Sequence, residues 1–360
     1  MDARNIGLRN IEVADTKICS IDGEQGKLIY RGYDILDLVN RSTFEETAYL
    51  LLFGGLPSAE ELADFSHRLS EVRKLPEPLL NNLKNRPRKA HPMDILQSCV
   101  SELADYDLNL DDDTREDNIR RAIILISKIP TIVAAWNRIR NGQHVVDPKE
   151  EGSHAANFLY MLRGTEPLQE ESKVFDICLI LHAEHSFNAS TFAAREVAST
   201  RAHMFACIGA ALGALSGELH GGANIQVMKM LLEIGDLDKV ETWVTSRLQH
   251  GGRIMGMGHA VYRTTDPRAD ILSRLSRAMS REKGTKWFEI TERVEKVTKE
   301  FMLKNKRQPI YPNVDLYSAA LYYSMGIPMD LNTPIFAISR ISGWSAHVIE
   351  EKFAEAAPKP

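Results

Sequence analysis

Apolar residues recur at helical spacing through most of this chain, and strand-like patterning is concentrated near its start. Between residues 12 and 33, "EVADTKICSIDGEQGKLIYRGY" sets two short segments rich in Ile, Leu and Tyr on either side of "DGEQG". The Asp-Gly pair and the later Gly predict a hairpin there. Helical signals then take over. Ser42-x-x-Glu45 and Thr43-x-x-Glu46 each read as a capping box opening an apolar run that stops at Gly54-Gly55, and Ser58-x-x-Glu61 repeats the device. Pro92 and Asp94 open "HPMDILQSCVSELADY", where Ile95, Cys99 and Leu103 share a helical face. "NIRRAIILISKIPTIVAAWNRIRNG" predicts a long apolar helix with a kink at Pro130. "SRLSRAMSREKGTKWFEITERVEKVTKEFMLKN" predicts two amphipathic helices parted around Lys283-Gly284. The pattern yields well over ten helices and one strand pair, with no repeat of solenoid length. The predicted fold is mostly α, with a small N-terminal β-hairpin.

One stretch breaks good helical material. "GALSGELHGGANIQVMKMLLEIG", from residue 213, holds His220, Gly221 and Gly222 directly ahead of an amphipathic run. Each glycine costs a helix roughly 1 kcal/mol relative to alanine. The pair therefore predicts close approach to the backbone, with His220 as the nearest reactive group.

Composition narrows the class. At 360 residues the chain exceeds the usual single-core size, which favours two domains. Its 44% hydrophobic and 26% charged residues fit a soluble globular protein, and a net charge of −5 leaves no electrostatic footprint for nucleic acid. Cys19, Cys99, Cys178 and Cys207 lie far apart without a CxxC pair. They read as core thiols in a reducing compartment, not disulfides or zinc ligands. The N-terminus "MDARNIGLRNIEV" lacks the apolar core of a secretory signal, and no stretch reads as about 18 consecutive apolar residues. The expected setting is cytoplasmic, without a membrane partner.

Three motif-like segments carry little. "DLNLDDD" opens like a calcium loop at Asp107, but Asp112 stands at the glycine position and Asn118 at the final glutamate position. "GGRIMGMGH" has the spaced glycines of a phosphate loop, yet Met257 replaces its lysine. His182 and His185 in "HAEH" have metal-pair spacing without a third ligand at fixed distance, so no metal is expected. Histidine clustering carries more. His182, His185, His203, His220, His250 and His259 all fall within one segment, which suggests proton chemistry near neutral pH. His182, His203 and His250 read as hydrogen-bonded structural histidines. His220 in "LHGG" and His259 in "GMGH" sit beside glycines that leave an imidazole reachable. Asp315 in "YPNVDLYS" lies at a helix start, where a carboxylate serves as a reactive group or as a cap.

The blocks "HAEHSFNASTFAAR", "LSGELHGGAN", "GMGHAVYRTTDPRAD", "YPNVDLYSAALY" and "IFAISRISGWSAHVIEE" resemble, in order, the motifs of citrate synthases. "SIDGEQGKLIYRGYDI", "LLLFGGLPS" and "HPMD" extend the resemblance over nearly the whole chain. It implies a mostly helical, two-domain homodimer that joins oxaloacetate to the acetyl group of acetyl-CoA. The large domain would comprise residues 1–221 and 328–360 and the small domain 222–327, with the site in the cleft between them. By the same resemblance, His220 hydrogen-bonds the thioester carbonyl, Asp315 takes the methyl proton, and His259 polarises and protonates the ketone. His185, Arg268 and Arg340 match oxaloacetate ligands. Arg263 matches a coenzyme A contact and Lys306 is a looser candidate for the same task. Coenzyme A enters as a substrate thioester, and no cofactor or metal is implied.

That division of labour is chemically sensible. The acetyl methyl is a weaker acid than a carboxylic acid by ten or more pKa units, on the order of 14 kcal/mol, so Asp315 alone is insufficient. One preorganised donor to the enolate oxygen is worth roughly 3–4 kcal/mol, and the glycines after His220 would let the thioester lie close. Guanidinium groups suit the two carboxylates of oxaloacetate. Two other readings stand beside this one: a 2-methylcitrate synthase using propionyl-CoA, and an inactive helical relative serving as an interaction module. Family members usually carry another arginine in a tail beyond the last helix. A protein ending at Pro360 would lack it and should bind oxaloacetate at least about tenfold more weakly.

Overall fold

The computed structural model describes residues 13–355. The expectations about a leader and about a tail arginine concern residues 1–12 and those beyond 355, outside the described residues. The N-terminal pattern forms β1 (Cys19–Asp22) and β2 (Lys27–Tyr30), paired antiparallel with Cys19 opposite Tyr30 and Asp22 opposite Lys27. This is the expected hairpin. A third strand, β3 (Tyr33–Asp34), adds to β2 after a tight reversal in which Arg31 and Gly32 both take positive φ.

Sixteen α-helices follow among the described residues. They are α1 (Ile35–Arg41), α2 (Phe44–Phe53), α3 (Ala59–Glu71), α4 (Glu77–Lys84), α5 (Pro92–Glu102), α6 (Arg115–Arg140), α7 (His154–Arg163) and α8 (Gln169–His182). The second half holds α9 (Ala189–Ser199), α10 (Met204–Leu215), α11 (Ala223–Ile234), α12 (Val240–Gln249), α13 (Pro267–Lys283), α14 (Trp287–Lys306), α15 (Val314–Ser324) and α16 (Asn332–Lys352). The fold is mostly α, as the periodicity requires.

Of the two overlapping capping boxes, only one forms. Thr43 caps α2 and exchanges both bonds with Glu46. Ser42 instead closes α1, its backbone N–H reaching the Leu38 carbonyl, while buried Glu45 accepts the backbone N–H of His154 at 2.7 Å. A helix has one entry point, and here the Thr43 register lets Phe44 go into the core. Ser58 and Glu61 form their box at α3.

Helix α6 corrects another expectation. It is long and apolar enough, by length and composition, to cross a membrane, although the sequence reading found no such stretch. Its scattered charges hide this from a search for unbroken apolar runs. The helix passes through Pro130 and is mostly buried, packed against α16 with Trp136 and Trp344 fully enclosed. Helix α16 also touches α2, α8, α9 and α10, so its residues line the middle of the bundle. Downstream of α10, α13 packs on α15, α12 on α14, and α11 on both α15 and α16. All four cysteines are buried and free.

Candidate active site

Three backbone features assemble the predicted residues. First, Met257 and Pro312 form an antiparallel bridge: Gly258 N–H donates to the Tyr311 carbonyl at 2.7 Å and Asn313 N–H to the Gly256 carbonyl at 2.9 Å. The Asn313 side chain completes the joint. Its Nδ2 donates to the Gly258 carbonyl, and its Oδ1 caps α15 by accepting the Asp315 N–H. This brings the loop ending in His259 against the helix start that carries Asp315. Asp315 is therefore not the cap of α15. It lies in the first turn of α15, where the helix dipole favours its charge.

Second, His259 folds back over its own loop. Its Nδ1 accepts the backbone N–H groups of Val261 (2.9 Å) and Tyr262 (3.2 Å). With Nδ1 an acceptor, the neutral ring carries its proton on Nε2. Burial, reinforced by the Arg268 charge, pushes His259 down to about 4, so the imidazole is a neutral donor at pH 7. The His185 ring lies 5.4 Å from it, and His185 Nε2 is 3.3 Å from the Tyr262 hydroxyl. Burial and then Arg268 hold His185 well below the usual histidine range.

Third, the α9 N-terminus orients His220. Asn188 caps α9, and the Ser190 backbone N–H in its first turn points at His220 Nε2 (3.3 Å), with Ser190 Oγ 2.8 Å away. A ring nitrogen facing a backbone N–H must accept, which puts the His220 proton on Nδ1. Burial, then the Arg340 charge, lowers His220 to about 4. Trp344 Nε1 fixes the Ser190 hydroxyl from the other side at 3.1 Å.

The glycines after His220 admit the expected close approach, and it comes from the chain itself. A Cβ on Gly221 would collide with the Leu215 carbonyl and the Thr333 methyl, and one on Gly222 would lie 3.0 Å from Glu218 Cα. The space they leave is filled by the chain itself. Thr333 on α16 also donates to the Gly221 carbonyl at 2.8 Å, tying the His220 turn to α16.

Both predicted arginines are buried. Arg268 is bidentate to Asp266, with Nε–Oδ1 2.9 Å and Nη2–Oδ2 2.7 Å, and Asp266 also caps α13 ahead of Pro267. Against the upward push of burial, Arg268 holds Asp266 below the usual carboxylate range. Arg340 donates from Nε to the His182 carbonyl at 2.7 Å and lies over the Phe336 ring. Burial lowers its guanidinium to about 10. Burial lifts Asp315 to about 6, opposed first by Arg268 and more weakly by the nearby Asn224 side chain, whose Nδ2 donates to Ser318 Oγ at 2.6 Å. Asn332 in turn orients Asn224, Nδ2 to Oδ1 at 2.6 Å. The charges of Arg268 and Arg340 both bear on His185 and Asp315.

Arg263 and Lys306 are exposed, Arg263 beyond the His259 loop and Lys306 at the end of α14. Neither is buried with these groups. Of the other histidines, buried His182 binds its own helix at the Cys178 carbonyl, His203 caps α10, and exposed His250 bonds the Ser246 carbonyl. Among the described residues, no group of three or more His, Cys, Asp or Glu is arranged to hold a metal.

Ser190, Asn224, Tyr262 and Asp266 were not singled out in the sequence. Asp266 had a local signal, since Asp-Pro reads as a cap followed by proline at the first helical position. The other three act across long sequence separations.

Comparison with known proteins agrees with this geometry. The family described as "Citrate synthase, C-terminal domain" matches residues 7–358. The chain is 44% identical to a citrate synthase of Haloferax volcanii, over 96% of this chain and 91% of that one. It superposes on the citrate synthase structure from Pyrobaculum aerophilum with a TM-score of 0.91 at 39% identity, covering 98% and 90% of the two chains. A Thermoplasma acidophilum citrate synthase, solved as a ternary complex with carboxymethyl coenzyme A and oxaloacetate, also gives 0.91 at 31% identity, covering 99% and 94%. With matching fold and matching sequence over nearly its full length, the chain belongs to the citrate synthase family.

Proposed function

We propose that this chain condenses acetyl-CoA with oxaloacetate and hydrolyses the resulting citryl-CoA to citrate and coenzyme A. The observation that carries the reading is the pairing of an unusually basic carboxylate, Asp315, with two neutral imidazoles whose free N–H groups are fixed by the backbone.

In this reading Arg268, Arg340 and His185 bind oxaloacetate. Asp315 breaks a methyl C–H bond of the acetyl group and keeps the proton, and His220 Nδ1–H donates to the enolate oxygen as charge develops there. The methyl carbon attacks the ketone, a C–C bond forms, and His259 gives its Nε2 proton to the new alkoxide. Water then attacks the thioester carbonyl, giving a proton to His259 Nε2, and the proton held by Asp315 goes to the departing coenzyme A sulfur, so both groups are restored. A carboxylate at about 6 is still mostly ionised at neutral pH and accepts a proton more readily than an ordinary aspartate. Each of these proton and charge roles falls to a side chain, so the reading needs no metal or prosthetic group, and activity should survive EDTA. In the same reading Arg263 contacts coenzyme A, with Lys306 a looser candidate for that task.

The block α11–α15 carries His259, Arg268 and Asp315, whereas His185 and Arg340 sit with the main bundle. One dianion would bridge both, so oxaloacetate should bind first and favour closure of the 222–327 unit over the rest. A cytoplasmic homodimer completes the proposal, with sedimentation as the check on assembly.

Thiol release on mixing both substrates, with citrate identified by NMR, tests the function. Absence of either product overturns it. Propionyl-CoA run in parallel settles the acyl preference. Calorimetry should show acetyl-CoA binding more tightly once oxaloacetate is present, and equal affinity would sink the closure model.

A further inference from the structure

The β1–β2 turn leans on the loop that joins His259 to Arg268. Asp22 Oδ1 accepts the backbone N–H groups of Glu24 (3.0 Å) and Gln25 (2.9 Å), which sets the turn. The Gly23 carbonyl then accepts the Arg263 N–H at 2.9 Å. A Cβ on Gly23 would stand 2.5 Å from the Val261 carbonyl oxygen, and one on Gly26 would stand 2.9 Å from both the Thr265 carbonyl oxygen and the Thr264 methyl. Two backbones thus touch with no room for a methyl group. The atom nearest Gly23 belongs to the main chain, so no side-chain rotation could relieve a clash.

The contacted segment is consequential. Val261 and Tyr262 supply the N–H groups that orient His259, and Thr265 directly precedes the Asp266 that holds Arg268. The far end of the hairpin is anchored as well. The Tyr30 hydroxyl donates to the Glu184 carbonyl at 2.9 Å and accepts the Glu184 N–H at 3.2 Å, one residue before His185. One short hairpin therefore spans from the His185 wall to the His259–Arg268 loop.

We propose that the Asp22–Gly26 turn positions the loop of residues 259–268, with Gly23 a positioning residue for the ketoacid half of the site. The claim about oxaloacetate rests on the function proposed above, whereas the claim about the loop does not. In the full chain, Gly23→Ala pushes the turn and loop apart while sparing the core. Calorimetric oxaloacetate affinity should fall by at least about tenfold, in keeping with the sensitivity of such sites to sub-ångström displacement. The melting temperature should stay within about 2 °C of wild type, since the turn buries little apolar surface. Trypsin cleavage after Arg263, located by mass spectrometry, should be at least about fivefold faster, with other cuts unchanged. Gln25→Ala, in the same turn but exposed, should match wild type in all three measurements.

Wild-type cleavage at Arg263 in Gly23→Ala overturns the proposal. Failure of the wild-type protein to bind oxaloacetate, with the cleavage change present, overturns the function and leaves the clamp standing. Normal affinity alongside the cleavage change removes the claim on the ketoacid half. Should Gly23→Ala not fold, amide exchange of Arg263 in the wild-type protein decides. Protection of at least about tenfold supports the clamp, and exchange at the rate of an open loop overturns it.

Discussion

The two halves of the candidate site are held by different physics. On the ketoacid side, the arginines are buried and aimed by oxygen acceptors: Asp266 for Arg268 and the His182 carbonyl for Arg340. On the acyl side, His220 and Asp315 are aimed by helix beginnings, α9 through Ser190 N–H and α15 through its first turn. In the proposed reading, buried cations await charges that arrive already formed, whereas the α9 N-terminus orients His220 toward charge that appears only during reaction. The first arrangement should govern binding and stability, and the second should govern rate.

Asp315→Asn gives the sharpest separation. Turnover should fall by about 10²–10⁴-fold while oxaloacetate affinity is kept. The folded protein holds the Asp315 proton more tightly than the unfolded chain does, so the carboxyl loses stability as pH rises from about 4 to about 6. Asn therefore raises stability at pH 7, by about 1–3 kcal/mol in urea titrations. A variant keeping a tenth of the wild-type rate removes Asp315 from the base role. In the wild type, kcat/KM for acetyl-CoA should decline below an apparent pKa of about 6.

Next is Asp266→Asn, which strands the Arg268 charge in the interior. Unfolding free energy should drop by about 3–5 kcal/mol, together with oxaloacetate affinity. A loss below about 1 kcal/mol would show that the pair is not buried in solution. Ser190→Ala leaves the backbone N–H to set the His220 tautomer and removes only the hydroxyl support. It should lower kcat about tenfold and leave oxaloacetate affinity unchanged. Weakened ketoacid binding would dissolve the distinction between the halves. Ser186→Gly is the mildest. Ser186 takes φ of 50° in the loop after His185, and relief of that conformation offsets the freer unfolded chain, so stability should change by less than about 1 kcal/mol.

Legibility followed the range of the forces. The hairpin, the Thr43–Glu46 box and the Asp266 cap depend on residues within a few positions, and each left a mark in the chain. The Ser42–Glu45 box left the same mark and did not form, because burial of Phe44 chose between registers. His220, His259 and Asp315 were recognisable through ordered motifs, but the reason for Gly221 was not. Leu215 and Thr333 occupy its missing side chain, and only the folded bundle brings Thr333 there. Ser190 and Asn224 were invisible for the same reason. Their partners lie 30 and 94 residues away.

Helix α6 has a consequence for how the protein is made. Part of its apolar surface is covered by α16, the last helix of the described chain, and the rest by α3, α4, α5, α7 and α10. At synthesis rates of about 5–20 residues per second, that cover emerges ~10–40 s after α6 has left the ribosome. Throughout that interval the segment best suited to a lipid interior can lean on α3, α4, α5 and α7 but keeps its α16-facing stripe bare, a stripe that a chaperone would have to cover.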